Sequence, residues 1–303
     1  MVTTKILLNE SNVIDKSIRQ AWLGECLGVG FGYFISHADD PINPAVLQRY
    51  RTGLTRLEQG EPLAYVVGKQ AFWKHEFIVN QHTLIPRPDT EVLVETVIKH
   101  IQKTQSNKNS LSNLVSQTGH MQYTPAEPCI DTSTLKILDL GTGTGCIAIS
   151  LASENPNASV TAVDFSAEAL AVAKKNAELN QVSNIEFIQS NWFEALYPLT
   201  PTFDIIVSNP PYIDSADTHL QGLTAEPITA LVADNHGLAD IEKIVATSRD
   251  FLTHHGLLAI EHGYDQAESV QAIFVEKGFA NVQTVKDYGG NDRVTYGIFD
   301  KIA

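Results

Sequence analysis

The sequence predicts an α/β protein. A mainly parallel sheet covered by helices ends in an antiparallel hairpin, and a small helical domain precedes it. Three observations carry this expectation. From residue 135 onward, short β-branched runs alternate with helical stretches, the pattern of a parallel sheet covered on both faces. The first of these runs leads into Gly141-Thr-Gly-Thr-Gly145 and then a helix, a strand–turn–helix suited to a nucleotide. Near the N-terminus, Ile14, Ile18, Trp22, Leu23 and Leu27 recur at helical spacing instead.

The elements follow in order. Residues 1–64 read as a helical domain. After the first helix comes Asp39-Asp-Pro-Ile-Asn-Pro44, which has turn and N-cap chemistry, and a second helix spans about 44–59 before Gly60 and Pro62 stop it. Residues 65–86 alternate and turn like a β-hairpin joining two domains. Asp89 or Thr90 caps a helix through about Ile101. Residues 102–134 are rich in Ser, Asn and Gln and poor in large apolar side chains, so a flexible insertion is expected there. The main domain, 87–303, then predicts strands at 135–140, 159–164, 185–189, 203–208 and 257–261, with helices at 145–153, 166–180, 238–251 and 266–277. Strands at 281–287 and 293–299 close it as a hairpin.

Composition narrows the function. The chain has 303 residues and is 43% hydrophobic, enough for a sizeable core. Its net charge is −14, with 35 acids against 21 bases and no basic stripe. A protein gripping a nucleic-acid backbone needs the opposite balance, so no direct nucleic-acid substrate is expected. No apolar run reaches the roughly 18 residues of a membrane span, and the N-terminus lacks the pattern of a signal peptide. Three widely spaced cysteines, Cys26, Cys129 and Cys146, suit reduced thiols in the cytoplasm. His254-His255 and His262 are not completed by a cysteine or paired carboxylates, so no metal site is expected.

The glycine turn is a candidate cofactor loop, comprising Gly141, Thr142, Gly143, Thr144 and Gly145. Glycine lets the backbone approach a ligand at the carboxyl end of a strand. Asp164 ends the second strand, where a carboxylate accepts hydrogen bonds from ribose hydroxyls. Asp139, just before the glycines, is placed to pair with an amino-acid ammonium. Asn191 and Trp192 follow the third strand and suit an adenine, by hydrogen bond and ring packing; Trp192 also suits a core position beside Phe193. The stretch Gly143-Thr-Gly-Cys-Ile-Ala148 satisfies a relaxed dinucleotide fingerprint as well, so an NAD-binding oxidoreductase stays open on the loop alone.

The second motif is Ser208-Asn-Pro-Pro-Tyr-Ile-Asp214, at the end of the apolar run 203–207. Pro210 and Pro211 carry no N–H and end the strand. The Asn209 amide and the Pro210 carbonyl offer acceptors to a flat amino or amide group, and Tyr212 offers a ring to its plane. Asn209, Pro210 and Tyr212 are therefore the candidate catalytic residues, with Pro211 completing the slot and Asn209 also adjoining the donor. The two motifs together point to methyl transfer from S-adenosylmethionine to a planar nitrogen.

Leu84-Ile-Pro-Arg-Pro-Asp-Thr-Glu91, Asp139-Leu-Gly-Thr-Gly-Thr-Gly145 and Ser208-Asn-Pro-Pro-Tyr-Ile-Asp214 resemble the protein-(glutamine-N5) methyltransferases of the HemK/PrmC family. Gly60-Glu-Pro-Leu-Ala-Tyr65, Glu226-Pro227 and Asp287-Tyr-Gly-Gly-Asn-Asp-Arg293 extend the resemblance over nearly the whole chain. Asn-Pro-Pro-Tyr alone is less specific, being shared with DNA adenine methyltransferases. The resemblance implies a Rossmann-like class I methyltransferase domain behind a helical substrate-docking domain. It implies S-adenosylmethionine as donor, and as substrate the Gly-Gly-Gln glutamine of peptide chain release factors. A sister branch acts on a large-subunit ribosomal protein; this chain is more similar to the release-factor branch. A monomer is expected. Arg87 and Glu91 are expected either to pair at the helix start or to order the pocket lip, and Phe72 and Trp73 to pack in the hairpin. The chain departs from the family pattern in its longer 102–134 segment and a shorter loop before Glu226.

Overall fold

The computed structural model describes residues 2–118, 134–197, 199 and 201–300. The chain divides into two compact units, Met1–Gln70 with Val79–Gln81, and Ala71–Ile78 with His82–Ala303.

The first unit is helical: α1 (Thr4–Leu7), α2 (Lys16–Leu27), α3 (Tyr33–Ser36), α4 (Pro44–Glu58) and α5 (Leu63–Val67). Pro44 opens α4 at a position needing no N–H, and the Asn43 side chain accepts the Ala45 N–H at 2.8 Å. Leu7, Trp22, Leu23, Tyr50 and Leu54 form the core. Its two large polar-tipped rings are satisfied inside it: Trp22 Nε1–H donates to the Tyr50 carbonyl at 2.8 Å, and the Tyr50 hydroxyl to that of Leu7 at 3.1 Å.

The segment expected as a hairpin over 65–86 is only partly one. Its first residues belong to α5, a short helix that follows Pro62 and is closed by Gly68 in the left-handed conformation. The strands are β1 (Lys69–Phe72) and β2 (His75–Ile78). Phe72 does pack there, edge-on against Phe77 at 6.0 Å between ring centres.

The second unit continues with α6 (Glu91–Thr118), β3 (Lys136–Leu140), α7 (Cys146–Glu154), β4 (Ser159–Asp164), α8 (Ala167–Leu179), β5 (Ile185–Gln189) and β6 (Phe203–Ser208). Then come a distorted turn α9 (Asp234–Gly237), α10 (Ala239–Ser248), β7 (Leu252–Glu261), α11 (Ala267–Glu276), β8 (Phe279–Lys286) and β9 (Asp292–Phe299). The seven strands lie in the order β5-β4-β3-β6-β7-β9-β8. Neighbours are parallel from β5 to β7, and β9 inserts antiparallel between β7 and β8. Both faces are buried, as the apolar strands require. Ile137, Ile205, Val207 and Leu257 join one core with α6 and α7, while Leu138, Ile206, Leu258 and Ile260 join the other with α10 and α11.

Two boundaries differ from expectation. Helix α6 runs to Thr118 instead of stopping near Ile101, so the first half of the expected flexible insertion is helical. Its polar residues keep a helix going because neither Gly nor Pro interrupts 91–118; the first glycine is Gly119. The remainder of that insertion, 119–133, lies outside the described residues. Strand β7 begins at Leu252, five residues before the expected start, because Leu252 already pairs with Phe203 of β6, the register then shifting before Leu257.

Candidate active site

The carboxyl ends of β3, β4 and β6 meet where strand order reverses, so their loops open on one side of the sheet. At β3, Gly141, Gly143 and Gly145 have positive φ (73°, 55° and 81°), which winds the turn tightly before α7. The N–H groups of Gly141 and Thr142 both donate to the Val163 carbonyl at 2.9 Å. Asp164 then locks the turn from β4: one carboxylate oxygen accepts the Gly143 N–H at 2.8 Å and the other the Ser166 N–H at 2.9 Å. Each oxygen keeps a further lone pair. Burial lifts the Asp164 carboxyl above the usual carboxylate range.

Asp139 lies fully buried beneath the turn. Thr142 donates to its Oδ2 at 2.6 Å, while Oδ1 has no hydrogen-bond partner among the described residues. Burial raises this carboxyl to about 7.

A cavity of about 410 Å³ opens over the turn. Among the residues singled out from sequence, Gly141, Gly143, Asp164, Asn191, Trp192, Asn209 and Pro211 line it. Asp139, Thr142, Thr144, Gly145, Pro210 and Tyr212 are not at its wall, although the first four shape the turn. Adjacent Trp192 and Phe193 divide their duties. Phe193 is buried and stacks on Phe251 at 4.8 Å, whereas Trp192 faces the cavity, its Nε1–H donating to Asp240 at 3.1 Å. The Asn191 amide N–H goes to Glu194 at 2.7 Å.

The Asn-Pro-Pro-Tyr segment starts where the Ser208 hydroxyl donates to the Leu140 carbonyl at 2.8 Å, tying β6 to β3. Asn209 Nδ2 donates to Thr90 Oγ1 at 3.2 Å. The Tyr212 hydroxyl donates to Glu261 Oε1 at 3.3 Å, and burial holds that phenol well above its ordinary range. Gln266 Nε2 donates to the Tyr212 carbonyl at 3.0 Å.

Sequence reasoning missed much of the wall. His82, Thr83 and Leu84 line one part of it and Pro227, Thr229 and Ala230 another. These two loops are joined by Glu226, which is buried, accepts the Ile85 N–H at 3.0 Å and pairs with Arg87. Arg87 therefore does not pair with Glu91. Glu91 instead accepts the Trp73 N–H at 2.8 Å, because the hairpin turn brings that group to the start of α6. Arg87 and Glu226 were both visible in motifs; their partnership, across 139 residues of sequence, was not. Phe165, 72% exposed and at the cavity wall, carried no motif at all.

The cavity residues suit S-adenosylmethionine. Asp164 offers carboxylate lone pairs, Trp192 and Phe165 offer apolar faces, and the cavity is within the usual range for a ligand of that size. A "Methyltransferase domain" family model matches residues 131–295, and a "PrmC N-terminal domain" model matches 8–68. The hMettl16 catalytic domain shares the fold, with a TM-score of 0.52 and 16% identity over 75% of this chain and 77% of that one. Fold, glycine turn and acidic strand end define a class I methyltransferase whose donor is S-adenosylmethionine. Curated relatives narrow this. The release factor glutamine methyltransferase of Salmonella typhimurium is 42% identical over 90% of this chain and 88% of its own length. That of Francisella tularensis is 41% identical over 95% and 92%. This chain belongs to the release factor glutamine methyltransferase family. Among the described residues, no helix is long and apolar enough to cross a membrane.

Proposed function

We propose that this enzyme methylates the side-chain amide nitrogen, N5, of the glutamine in the Gly-Gly-Gln motif of peptide chain release factors. The observation that carries the reading is the placement of Asn209 at the wall of the same cavity as the glycine turn and Asp164, with its amide N–H already engaged by Thr90. That engagement leaves the Asn209 oxygen as the acceptor for a substrate N–H. The relatives' names supply the substrate class.

S-adenosylmethionine supplies, when bound, a methyl already activated on a sulfonium. The residues then have three tasks. Asp164 and the turn of Gly141, Thr142, Gly143, Thr144 and Gly145 hold the donor, with Trp192 and Asn191 toward its adenine. Asp139 is assigned to the donor's ammonium end, which requires the ammonium to reach beneath the turn, since the carboxyl is fully buried and off the cavity wall. Asn209 Oδ1 and the Pro210 carbonyl accept the two N–H bonds of the glutamine amide, with Pro211 and Tyr212 framing its plane. An amide nitrogen is a poor nucleophile because its lone pair is delocalised; two fixed acceptors aim it and favour pyramidal geometry as the new bond forms. Catalysis is then mainly positioning, which supplies several orders of magnitude, and carbonyl dipoles facing the developing positive charge. The extra proton on the methylated amide is strongly acidic and leaves to water.

In this reading the helical unit docks the release factor, and the enzyme acts as a monomer in the cytoplasm with no nucleic-acid substrate. The unpaired thiols of Cys26 and Cys146 support a reducing compartment. The test is transfer of labelled methyl to purified release factor, large-subunit ribosomal protein and DNA side by side. Label in release factor, lost when its Gly-Gly-Gln glutamine is replaced, is the expected result. Preferential label in ribosomal protein or DNA would overturn it.

A further inference from the structure

An asparagine amide is nearly symmetrical in shape, and turning it over exchanges Oδ1 for Nδ2. Only one orientation of Asn209 presents an acceptor to a substrate amide; the other presents a donor to a donor. Something must fix that choice. Thr90 is the immediate neighbour, with its Oγ1 3.2 Å from Nδ2, and a hydroxyl can serve either as donor or as acceptor toward an amide.

The deciding group lies beyond Thr90. Glu261, at the end of β7, is 1% exposed, and Thr90 is 2% exposed. One oxygen of Glu261 accepts the Tyr212 hydroxyl at 3.3 Å, and the other, Oε2, has no partner with full hydrogen-bond geometry among the described residues. The Thr90 hydroxyl is the side-chain group that most favours the ionised form of this carboxyl. A carboxylate can only accept. Its presence draws the hydrogens of Tyr212 and Thr90 toward itself, which turns the Thr90 lone pairs to Asn209. Asn209 must then offer Nδ2–H to Thr90 and keep Oδ1 for the substrate.

We infer that Glu261, acting through Thr90, is a positioning residue that sets the orientation of the Asn209 amide and hence the competence of the acceptor slot. The inference rests on the reading above, in which Asn209 Oδ1 receives a substrate N–H. It assigns Glu261 no contact with substrate.

A pH dependence follows. When Glu261 is protonated it can donate to Thr90, Thr90 can donate to Asn209 Oδ1, and the chain runs backwards. The charged or titratable groups that act on Glu261 come from several segments: Arg293 on β9 favours its ionised form, Asp89 before α6 opposes it, and the Tyr212 phenol and Cys146 thiol lie within electrostatic reach. Burial dominates and lifts the carboxyl to about 7.

The experiment measures kcat for methylation of intact release factor between about pH 6 and 9, with donor affinity by calorimetry as the check on folding. In the parent, kcat should climb about tenfold per pH unit below an inflection near neutrality and level off above it. Glu261→Gln keeps the shape but carries an amide that can donate as well as accept. It should lower plateau kcat at least about tenfold, abolish the inflection and leave donor affinity within about twofold. Thr90→Val should reproduce the loss through a second residue, and Thr90→Ser should restore most of it. A Glu261→Gln enzyme with parental kcat and an unchanged inflection would overturn the inference, as would an active Thr90→Val. Asn209→Ala separates the two readings. If it still methylates, the acceptor-slot reading itself fails; if it is inactive while Glu261→Gln is parental, only the relay fails.

Discussion

In the proposed reading, the donor cavity and the acceptor slot beside it are held in different ways. At the donor end the fixing groups are largely backbone. Two peptide N–H groups of the turn share the Val163 carbonyl, and the Asp164 carboxylate binds a third, that of Gly143, together with the Ser166 N–H beyond β4. At the acceptor end the fixing groups are side chains from separate segments, Asn209 to Thr90 and Tyr212 to Glu261. A backbone frame tolerates loss of one side chain with graded loss of affinity. A chain of side-chain hydrogen bonds has a direction, and a single replacement can reverse or break it.

The sharpest way to break this contrast is at Asn209. Asn209→Ala should abolish detectable methyl transfer and leave S-adenosylmethionine affinity within a few-fold, as read by labelled-methyl assay and calorimetry. It leaves a substrate N–H unpaired in the slot, at about 1–3 kcal/mol, and removes the alignment on which displacement depends. Asn209→Asp sharpens the point. It retains acceptors but cannot donate to Thr90, so a fully active Asp variant would show that the amide's N–H is dispensable.

Removing residues 1–68 tests the helical unit in place of either end. Donor binding should survive, since the turn, Asp164 and Asn209 all lie downstream, while methylation of intact release factor should fall steeply. Equal turnover by truncated and full-length enzyme would argue against docking by that unit.

The donor end should yield more gently. Asp164→Ala removes a charged acceptor and frees the Gly143 and Ser166 N–H groups, so donor affinity should drop by about 1.5–3 kcal/mol. Turnover at saturating donor should change much less; the converse pattern would move Asp164 to the acceptor side of the comparison.

The smallest effect concerns the rim. Arg87→Ala leaves the buried Glu226 carboxylate with the Ile85 N–H as its one hydrogen-bond partner among the described residues. Arg87 is 37% exposed, so water screens the loss, and a destabilisation of about 1–2 kcal/mol is expected in thermal melts. An unchanged melting temperature would show that the two loops hold their places without the pair.

The same contrast separates what was legible in the sequence from what was not. The glycine turn, Asp164 and the Asn-Pro-Pro-Tyr segment are local. Each is written in consecutive residues whose backbone demands are known, and the mainly parallel sheet with its closing hairpin followed from β/α alternation. Trp192 could not be told from a core tryptophan, because it is both: the ring packs on the core edge while lining the cavity, with Nε1–H bonded to Asp240 48 residues away. The pairing of Arg87 with Glu226 and the convergence of Thr90, Tyr212 and Glu261 depend on loops meeting across the sheet, and no spacing rule encodes those meetings. The polar stretch after Ile101 misled for another reason: composition describes how little a segment buries, not whether its backbone stays helical.

One glycine governs how the acceptor loop can change over time. At Gly237, φ is 80° and an added Cβ would sit 2.0 Å from the Tyr212 carbonyl oxygen. The stretch leaving Tyr212 passes through 3₁₀ turns, bonds back to Ile213 from Leu231 and Ala233, and packs against that oxygen at this residue. A side chain at 237 would therefore collide with the carbonyl on which the Asn-Pro-Pro-Tyr segment ends. Any change of length between 214 and 234 would have to keep three fixed points in place: Glu226 on the Ile85 N–H, the bonds of Ile213 with Leu231 and Ala233, and residue 237 at the Tyr212 carbonyl. Position 237 works as a locating pin: it sets where the loop ends without contributing a side chain.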